Sequence, residues 1–566
     1  MLLKAKILAL SLLTAALLLL SCSKKELLVN PAAETKPIQK PQSTLIHNVQ
    51  GYTFQGNDLT EFDYLHFSDE GKILAIGNGN AANGDLPNAA TTRDANNAVM
   101  LPGLIDAHGH VSSLGRAMTQ VDLMGISTLE ETLEVINAYA EANPDLPYIR
   151  GRGWNQELWT VAEFPTAKHL DELGITVPVV LGRVDGHAIW VNSKGLKLAG
   201  ITDATPDPAG GEIIRDANGK ATGILVDTAE DLVMSKIPAP DNATIKTYLT
   251  TAMDHLVSLG MTATHDAGVS YAETRAYHEL HRAKQMPMRV YGMLSAIETQ
   301  REYGKAFSAN DDKLFFRAIK MYADGALGSR GAALLEDYHD RPGQRGLIIT
   351  EQDAMTAAIR EGRQHYYQIN IHAIGDRGNR MVLDAFKAAE ASEKERHRIE
   401  HSQIVNLDDI PRFKQQGIIP SMQGVHATSD MHMAEKRLGK DRLAGAYAWR
   451  LFLDQGSRIA NGSDYPVELP NLFHGLYASV TRQDKNSNPP GGWLPEQRMT
   501  RAETLKSFTL DAAYAAFMDD TTGSLEVGKW ADFILMDKDF FKVPENEIHS
   551  LQVNETWVGG KQVFKR

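Results

Sequence analysis

The chain of 566 residues reads as an α/β protein: a (β/α)8 barrel with a small β-sandwich built from both chain ends and an α+β insertion after barrel strand 1. Three observations carry this. Eight short apolar runs, LPGLIDAHGH, MTATHDAG, MRVYGML, FRAIKMYAD, YQINIHAIGD, HRIEHSQ, GIIPSMQG and RIANGSDYP, recur through the middle of the chain, most of them separated by helix-forming stretches. Both ends share another texture, short alternating stretches broken by turn residues. About 150 residues separate the first run from the second, too many for one crossover.

At the N-terminus, Lys4 and Lys6 precede an apolar run from Ile7 to Leu20 that closes on LLSC. The run is long enough for a signal-peptide core and short for a membrane span. LLSC resembles a bacterial lipobox, in which the Cys takes lipid on its thiol and becomes residue one. Residues 1–21 are thus expected to be a lipoprotein signal peptide and Cys22 the lipidation site, with Ser23 favouring outer-membrane sorting. Residues 22–42 read as a flexible tether with three prolines, reaching roughly 25 Å from the bilayer. Export and a lipid anchor to the cell envelope are the expectation, with the anchor in place of a span.

Residues 43–100 and 520–566 supply the alternating segments, such as GKILAIG and ADFILMD, that form the composite sandwich. The barrel occupies 101–111 and 244–519, and the inserted domain 112–243. Between runs, TIKTYLTTAMDHLVSLG stops at Gly260 as a helix end should, and TEQDAMTAAIREGRQHY carries helix formers.

Lys and Arg number 58 against 71 Asp and Glu, a formal charge of −13. Removal of the first 21 residues takes away only two cations, Lys4 and Lys6. Such a surface repels nucleic acid and anionic membrane. Cys22 is the one cysteine, so the folded part holds neither a disulfide nor a Cys-ligated metal. Any metal is bound through His, carboxylate or a modified Lys.

In LPGLIDAHGH, His108 and His110 are two apart, so on a strand both imidazoles face one side and can bind one cation. An HxH pair arises by chance in a chain with 19 His; position gives this one its weight, because barrel active sites form at the C-terminal strand ends. Lys320, His372, His401 and Asp464 stand at the same end of runs four, five, six and eight. Barrel closure brings those ends around one axis. An ammonium at Lys320 is repelled by a divalent cation, whereas its carbamate is an anion able to bridge two metals. The alternatives are a Lys that binds substrate beside one metal, or a Lys paired with a carboxylate such as Asp324.

This constellation resembles the amidohydrolase superfamily, and within it amidohydrolase family 3, the branch with N-substituted formamide deformylases and related metal-dependent hydrolases. The likeness runs from LPGLIDAHGH through GRGWNQELW, PTAKHLDEL, DGHAIWVNSKGL, KMYADGALGSRGAAL, NIHAIGDRGNRMVLDAF, RIEHSQ and GSDYPVE to GSLEVGKWADFILMD. It implies one or two divalent ions, zinc foremost. His108 and His110 hold the more buried ion, Lys320 stands in the bridging place, His372 and His401 hold the second, and Asp464 is both metal-associated and catalytic. His187 and Arg330 are the candidates for holding substrate, each with a plain structural reading beside it, an ion pair in the case of Arg330. Asp227 stands where Glu is commoner in relatives, which bears on substrate contacts rather than on the metal.

The reaction implied is hydrolysis of a non-peptide carbon–nitrogen bond by metal-activated water, with an amide, N-formyl, N-acyl or cyclic amide small molecule as substrate. A deaminase on the same scaffold and a non-catalytic small-molecule-binding lipoprotein are the competing readings. Retention of Asp464 speaks against the binder, which has no use for a proton shuttle. Relatives of this kind often associate, so a homo-oligomer fits the resemblance.

Overall fold

A computed structural model describes residues 42–79, 83–183, 188–208 and 210–566. The expected signal peptide, Cys22, the tether up to residue 41 and His187 lie outside the described residues.

All eight apolar runs form parallel strands: β1 Leu104–Gly109, β2 Met261–Val269, β3 Arg289–Leu294, β4 Leu314–Tyr322, β5 Gln368–Ala373, β6 Arg398–His401, β7 Ile419–Gln423 and β8 Ala460–Gly462. They pair in sequence order. The first and last strands meet just beyond β8, where the Asp464 amide donates to the His108 carbonyl at 2.7 Å and the His110 amide to that of Tyr465 at 2.8 Å. Those bonds nearly close the barrel at its C-terminal mouth, the end that carries the site.

The helices between strands follow their local signals. Asp241 accepts from the Thr244 amide to start the helix Asn242–Ser258, and Gly260 behind it takes φ +90°. Ser270 and Glu273 form a capping box on Tyr271–Arg282. The barrel interior is filled by small and medium side chains, among them Ile105, Ala107, Ala263, Tyr291, Met293 and Ala318, packed on Ala512, Ala513 and Ala516 below. Those alanines belong to or adjoin the helix Leu510–Ala515, which plugs the barrel floor. Its terminal carbonyl, on Ala515, accepts from Arg398 at 2.6 Å and from Gln368 at 2.8 Å, satisfying an acceptor that a helix end leaves free.

The chain ends join in one seven-stranded sheet, in the order 561–565, 553–558, 533–536, 91–102, 43–55, 58–68, 73–77. It curls over itself. The Ile73 amide donates to Lys529 O at 2.9 Å, and Phe67 reaches Phe533 and Trp557 at ring separations of 6.0 and 6.1 Å. The expected sandwich core is therefore enclosed by a continuous sheet. A buried Arg289–Asp532 pair, 2.6 Å, ties it to the third barrel strand. The insertion carries its own six-stranded sheet, parallel across 121–122, 149–154 and 179–183 and antiparallel from there through 188–191 and 221–227 to 211–215. Trp154 and Trp190 fill its core. No helix among the described residues is long and apolar enough to cross a membrane.

Candidate metal centre

Five imidazoles, of His108, His110, His372, His401 and His426, and the Asp464 carboxylate gather at the barrel mouth. His108, at the end of β1, lies 4.8 Å from His401 of β6 between ring centroids, and His401 lies 4.6 Å from His372 of β5. His110 Nε2 is 3.0 Å from Asp464 Oδ1, and His108 Nε2 is 3.6 Å from the same oxygen. Lys320 Nζ, near the end of β4, is 3.2 Å from His108 Nε2. The structure thus brings together six of the eight metal and substrate residues expected from sequence.

Each imidazole has one nitrogen already committed. His108 Nδ1 donates to Glu400 Oε2 at 2.6 Å, His110 Nδ1 to the Ala267 carbonyl at 2.7 Å, and His401 Nδ1 to Gln423 Oε1 at 2.8 Å. His372 Nε2 faces the Gly325 carbonyl at 3.4 Å. Fixing the proton on the outer nitrogen leaves the other with a free lone pair, as a metal-binding His requires. His108, His110 and Asp464 each present a ligand atom within 4.8 Å of the others', so the donor set fits a divalent cation.

Electrostatics agree. Burial, reinforced by Lys320, keeps His108 below its ordinary pKa and lowers His372 to about 3. Burial opposes ionisation of Asp464, but the His110 hydrogen bond and the neighbouring imidazoles outweigh it and hold the carboxyl well below the usual range. Burial likewise lowers Lys320, with Glu400 and Asp464 pulling the other way. His110 differs: its burial is outweighed by the hydrogen bond and charge of Asp464, which raise it above its ordinary value, so a dication binding there competes with its proton. His401 and Asp464 both sit in the left-handed backbone region, φ 76° and 63°, a conformation costly for a side-chain-bearing residue and concentrated at functional sites.

Asp324 does not pair with Lys320; the carboxylates whose charge acts on that ammonium are Glu400 and Asp464. The Asp324 carboxylate accepts from the amides of Ala333, Ile374 and Gly375 at 2.8 to 2.9 Å, tying the loop after β4 to the loop after β5. Arg330 is also placed differently from expectation. Its guanidinium forks onto Asp340 at 3.1 and 2.9 Å, and Arg437 bonds the same carboxylate. Arg330 does not line the cavity above the centre, so the plain ion-pair reading describes it.

That cavity has a volume of about 370 Å³, within the usual span of small-ligand sites. Its floor is the centre itself; Tyr322, Leu327, Met433 and Val467 give it apolar walls. Sequence reasoning missed Glu400, Gln423 and His426. Glu400 had a signal, since it precedes His401 in an otherwise buried strand where a lone carboxylate demands a partner. His426 had a weaker one, three residues past the end of β7 at the catalytic end of the barrel.

An amidohydrolase family model, Amidohydro_3, matches residues 91–564. The chain is 30% identical over 476 residues to YtcJ of Bacillus subtilis (strain 168), covering 83% of this chain and 90% of that protein. It is 26% identical over 516 residues to the N-substituted formamide deformylase of Arthrobacter pascens, covering 88% and 94%. A metal-dependent hydrolase from Pyrococcus furiosus superposes with a TM-score of 0.75 at 27% identity, covering 88% of this chain and all of that one. With the barrel, the histidine cluster and a match over most of its length, the chain belongs to the amidohydrolase family.

Proposed function

We propose that this protein hydrolyses a non-peptide carbon–nitrogen bond in a small molecule, an N-formyl, N-acyl or cyclic amide, using one or two divalent ions, zinc foremost. The observation that carries the reading is the committed outer nitrogen of each site His, which leaves the second nitrogen of His108, His110, His372 and His401 for an ion beside Asp464. His108 and His110 would hold the deeper ion and His372 and His401 the second, with a carboxylated Lys320 between them.

A divalent cation bound there supplies Lewis acidity, bringing the pKa of water toward neutrality and stabilising negative charge on the carbonyl oxygen. Asp464 then takes the proton that the attacking water releases and gives it to the departing nitrogen, because an amine leaves poorly unless protonated. Asp464 Oδ1 stands 3.0 Å from His110 Nε2, so an ion held by that nitrogen would lie beside the carboxylate. The apolar walls receive the substituent on the nitrogen or acyl carbon; a match to an N-substituted formamide deformylase favours trying N-formyl compounds first.

The test combines metal analysis with a panel of N-formyl, N-acyl and cyclic amides. Expected are about one to two zinc-like ions per chain and, in Asp464→Asn, a rate at least about a hundredfold lower with retained fold. Full activity in that variant on a true substrate would remove Asp464 as proton shuttle. Ammonia as the sole nitrogen product would turn the reading to deamination. For Lys320→Ala, rescue by a short carboxylic acid supports the carbamate; weaker substrate binding at unchanged metal content supports the substrate-binding alternative.

We also propose export and anchoring through lipid on Cys22, supported by the LLSC sequence. Labelled palmitate entering the wild type and not Cys22→Ser is the expected outcome; equal labelling of both would refute it.

A further inference from the structure

One buried polar atom over the centre has no assigned duty. His426 is 7% exposed, lines the cavity and keeps Nε2 without a hydrogen-bond partner. That nitrogen is 3.7 Å from Asp464 Oδ2, too far for a bond between them. The ring lies 5.9 Å from that of His401 at 25°, so Nε2 opens on the same space as the proton-carrying carboxylate. An orphaned buried polar atom forfeits its solvation, a cost that a purely structural core position would avoid.

What holds the imidazole is a chain of polar contacts from the cavity wall. Asp430 Oδ2 and the Tyr447 hydroxyl are 2.5 Å apart, Tyr447 lies 3.3 Å from Gln403 Oε1, and Gln403 Nε2 lies 3.1 Å from His426 Nδ1. The Tyr447 hydroxyl donates to Asp430, and the Gln403 amide nitrogen, which can only donate, gives a hydrogen to Nδ1 of His426. The proton of His426 then resides on Nε2, aimed into the cavity. Two of these residues, His426 and Asp430, are four apart on the helix Gly424–Leu438, with Ser429 and Met433 on the same cavity-facing side.

We propose that His426 is a further catalytic residue, whose Nε2–H donates to the scissile carbonyl oxygen while Asp464 serves the nitrogen of the same bond. This deepens the hydrolase reading and rests on it. A donor fixed by a buried network needs no reorganisation as charge develops on the oxygen, the condition under which such donors are most effective.

The test uses the zinc-loaded full-length protein and two probes, the substrate found in the amide panel and acetohydroxamate, a small oxyanion that needs no turnover. His426→Phe keeps the ring and removes the donor; His426→Gln keeps an N–H. Expected in His426→Phe are a fall in kcat of about a hundredfold, little change in KM, at least tenfold weaker acetohydroxamate binding, and zinc content and affinity equal to wild type. His426→Gln recovers most of the binding. Should His426→Phe fold poorly, imidazole added to His426→Ala gives the same comparison. Loss of one zinc equivalent in His426→Phe would make His426 a ligand instead and overturn the proposal, as would unchanged acetohydroxamate affinity or failure of the wild type to bind it. If no amide is hydrolysed but acetohydroxamate binding still depends on His426, the reaction assignment fails and the donor stands.

Discussion

At the scale of single residues, the site depends on groups that never touch an ion. Glu400 is fully buried in β6, accepts from His108 Nδ1 at 2.6 Å, and is held at about 2 because the His108 contact, with the nearby cations Arg398 and Lys320, outweighs its burial. Replacing it with Gln leaves the shape and removes the charge that raises the basicity of His108. Metal affinity should fall about 10- to 100-fold, the range for an outer partner of a ligand His, read by competition with a chromophoric chelator; unchanged affinity would reduce Glu400 to a packing role. The ligands themselves were legible because each ends an apolar run, and strand ends are where barrels place chemistry. Glu400 and Gln423 were not singled out, because their partners lie on other strands and only register brings them into contact.

At the scale of elements, the barrel strands could be found from their apolar runs and the helices from their caps, but the loops could not. Nothing in ADGALGSRGAAL announces that Asp324 will collect three backbone amides from two different loops, or that Arg330 will turn to Asp340. Both depend on where the chain returns. Asp324 is buried and pushed up to about 7 by that burial, despite the amides that favour its ionised form. Asp324→Ala would strand three amides, each about 1–3 kcal/mol if left unmet, and would loosen the segment between β4 and the helix Gln352–Gln364. We expect a lower urea midpoint and faster limited proteolysis between residues 325 and 350; a variant as resistant as wild type would show that water replaces the carboxylate. Below the barrel, Arg398 joins the floor to the site, bonding Ala515 O at 2.6 Å and standing 4.0 Å from Glu400. Arg398→Met should cost stability and weaken the metal together, since it leaves Glu400 buried without its cation. A loss of stability at unchanged metal affinity would show that the two ends of the barrel are independent.

At the scale of the molecule, the fold class followed from repetition, since eight similar runs with one long gap admit few arrangements, while the single curled sheet from both ends depended on pairings more than 400 residues apart that composition cannot specify. The same whole-molecule view sets the pH dependence of the metal-free protein. His265, His372 and His401 are held neutral by burial, so unfolding takes up protons as pH falls below their ordinary value of 6.5, which destabilises the fold. Asp106, Asp266 and Asp324 are raised by burial to about 7; these bind protons in the folded state first, which stabilises it over the same window. The two sets offset one another between about pH 7 and 4.5, giving a shallow slope. Below that the balance tips. Glu395 and Glu503 are each held at about 2: burial of Glu395 is overcome by His397 3.7 Å away and the Arg363 hydrogen bond, while Glu503 is lowered foremost by its bond with Arg450. Glu400 is held equally low. A carboxylate depressed in the fold lends stability above its unfolded pKa and loses it as pH falls toward the folded one, so all three act against the fold between about pH 4.5 and 2. Thermal unfolding of chelator-treated protein should therefore show a near-level melting temperature from pH 7 to 5 and a steep fall below 4.5, less steep in Glu503→Gln. A steady decline beginning near pH 6.5 would mean that the histidines dominate and that the three raised aspartates stay ionised in the fold.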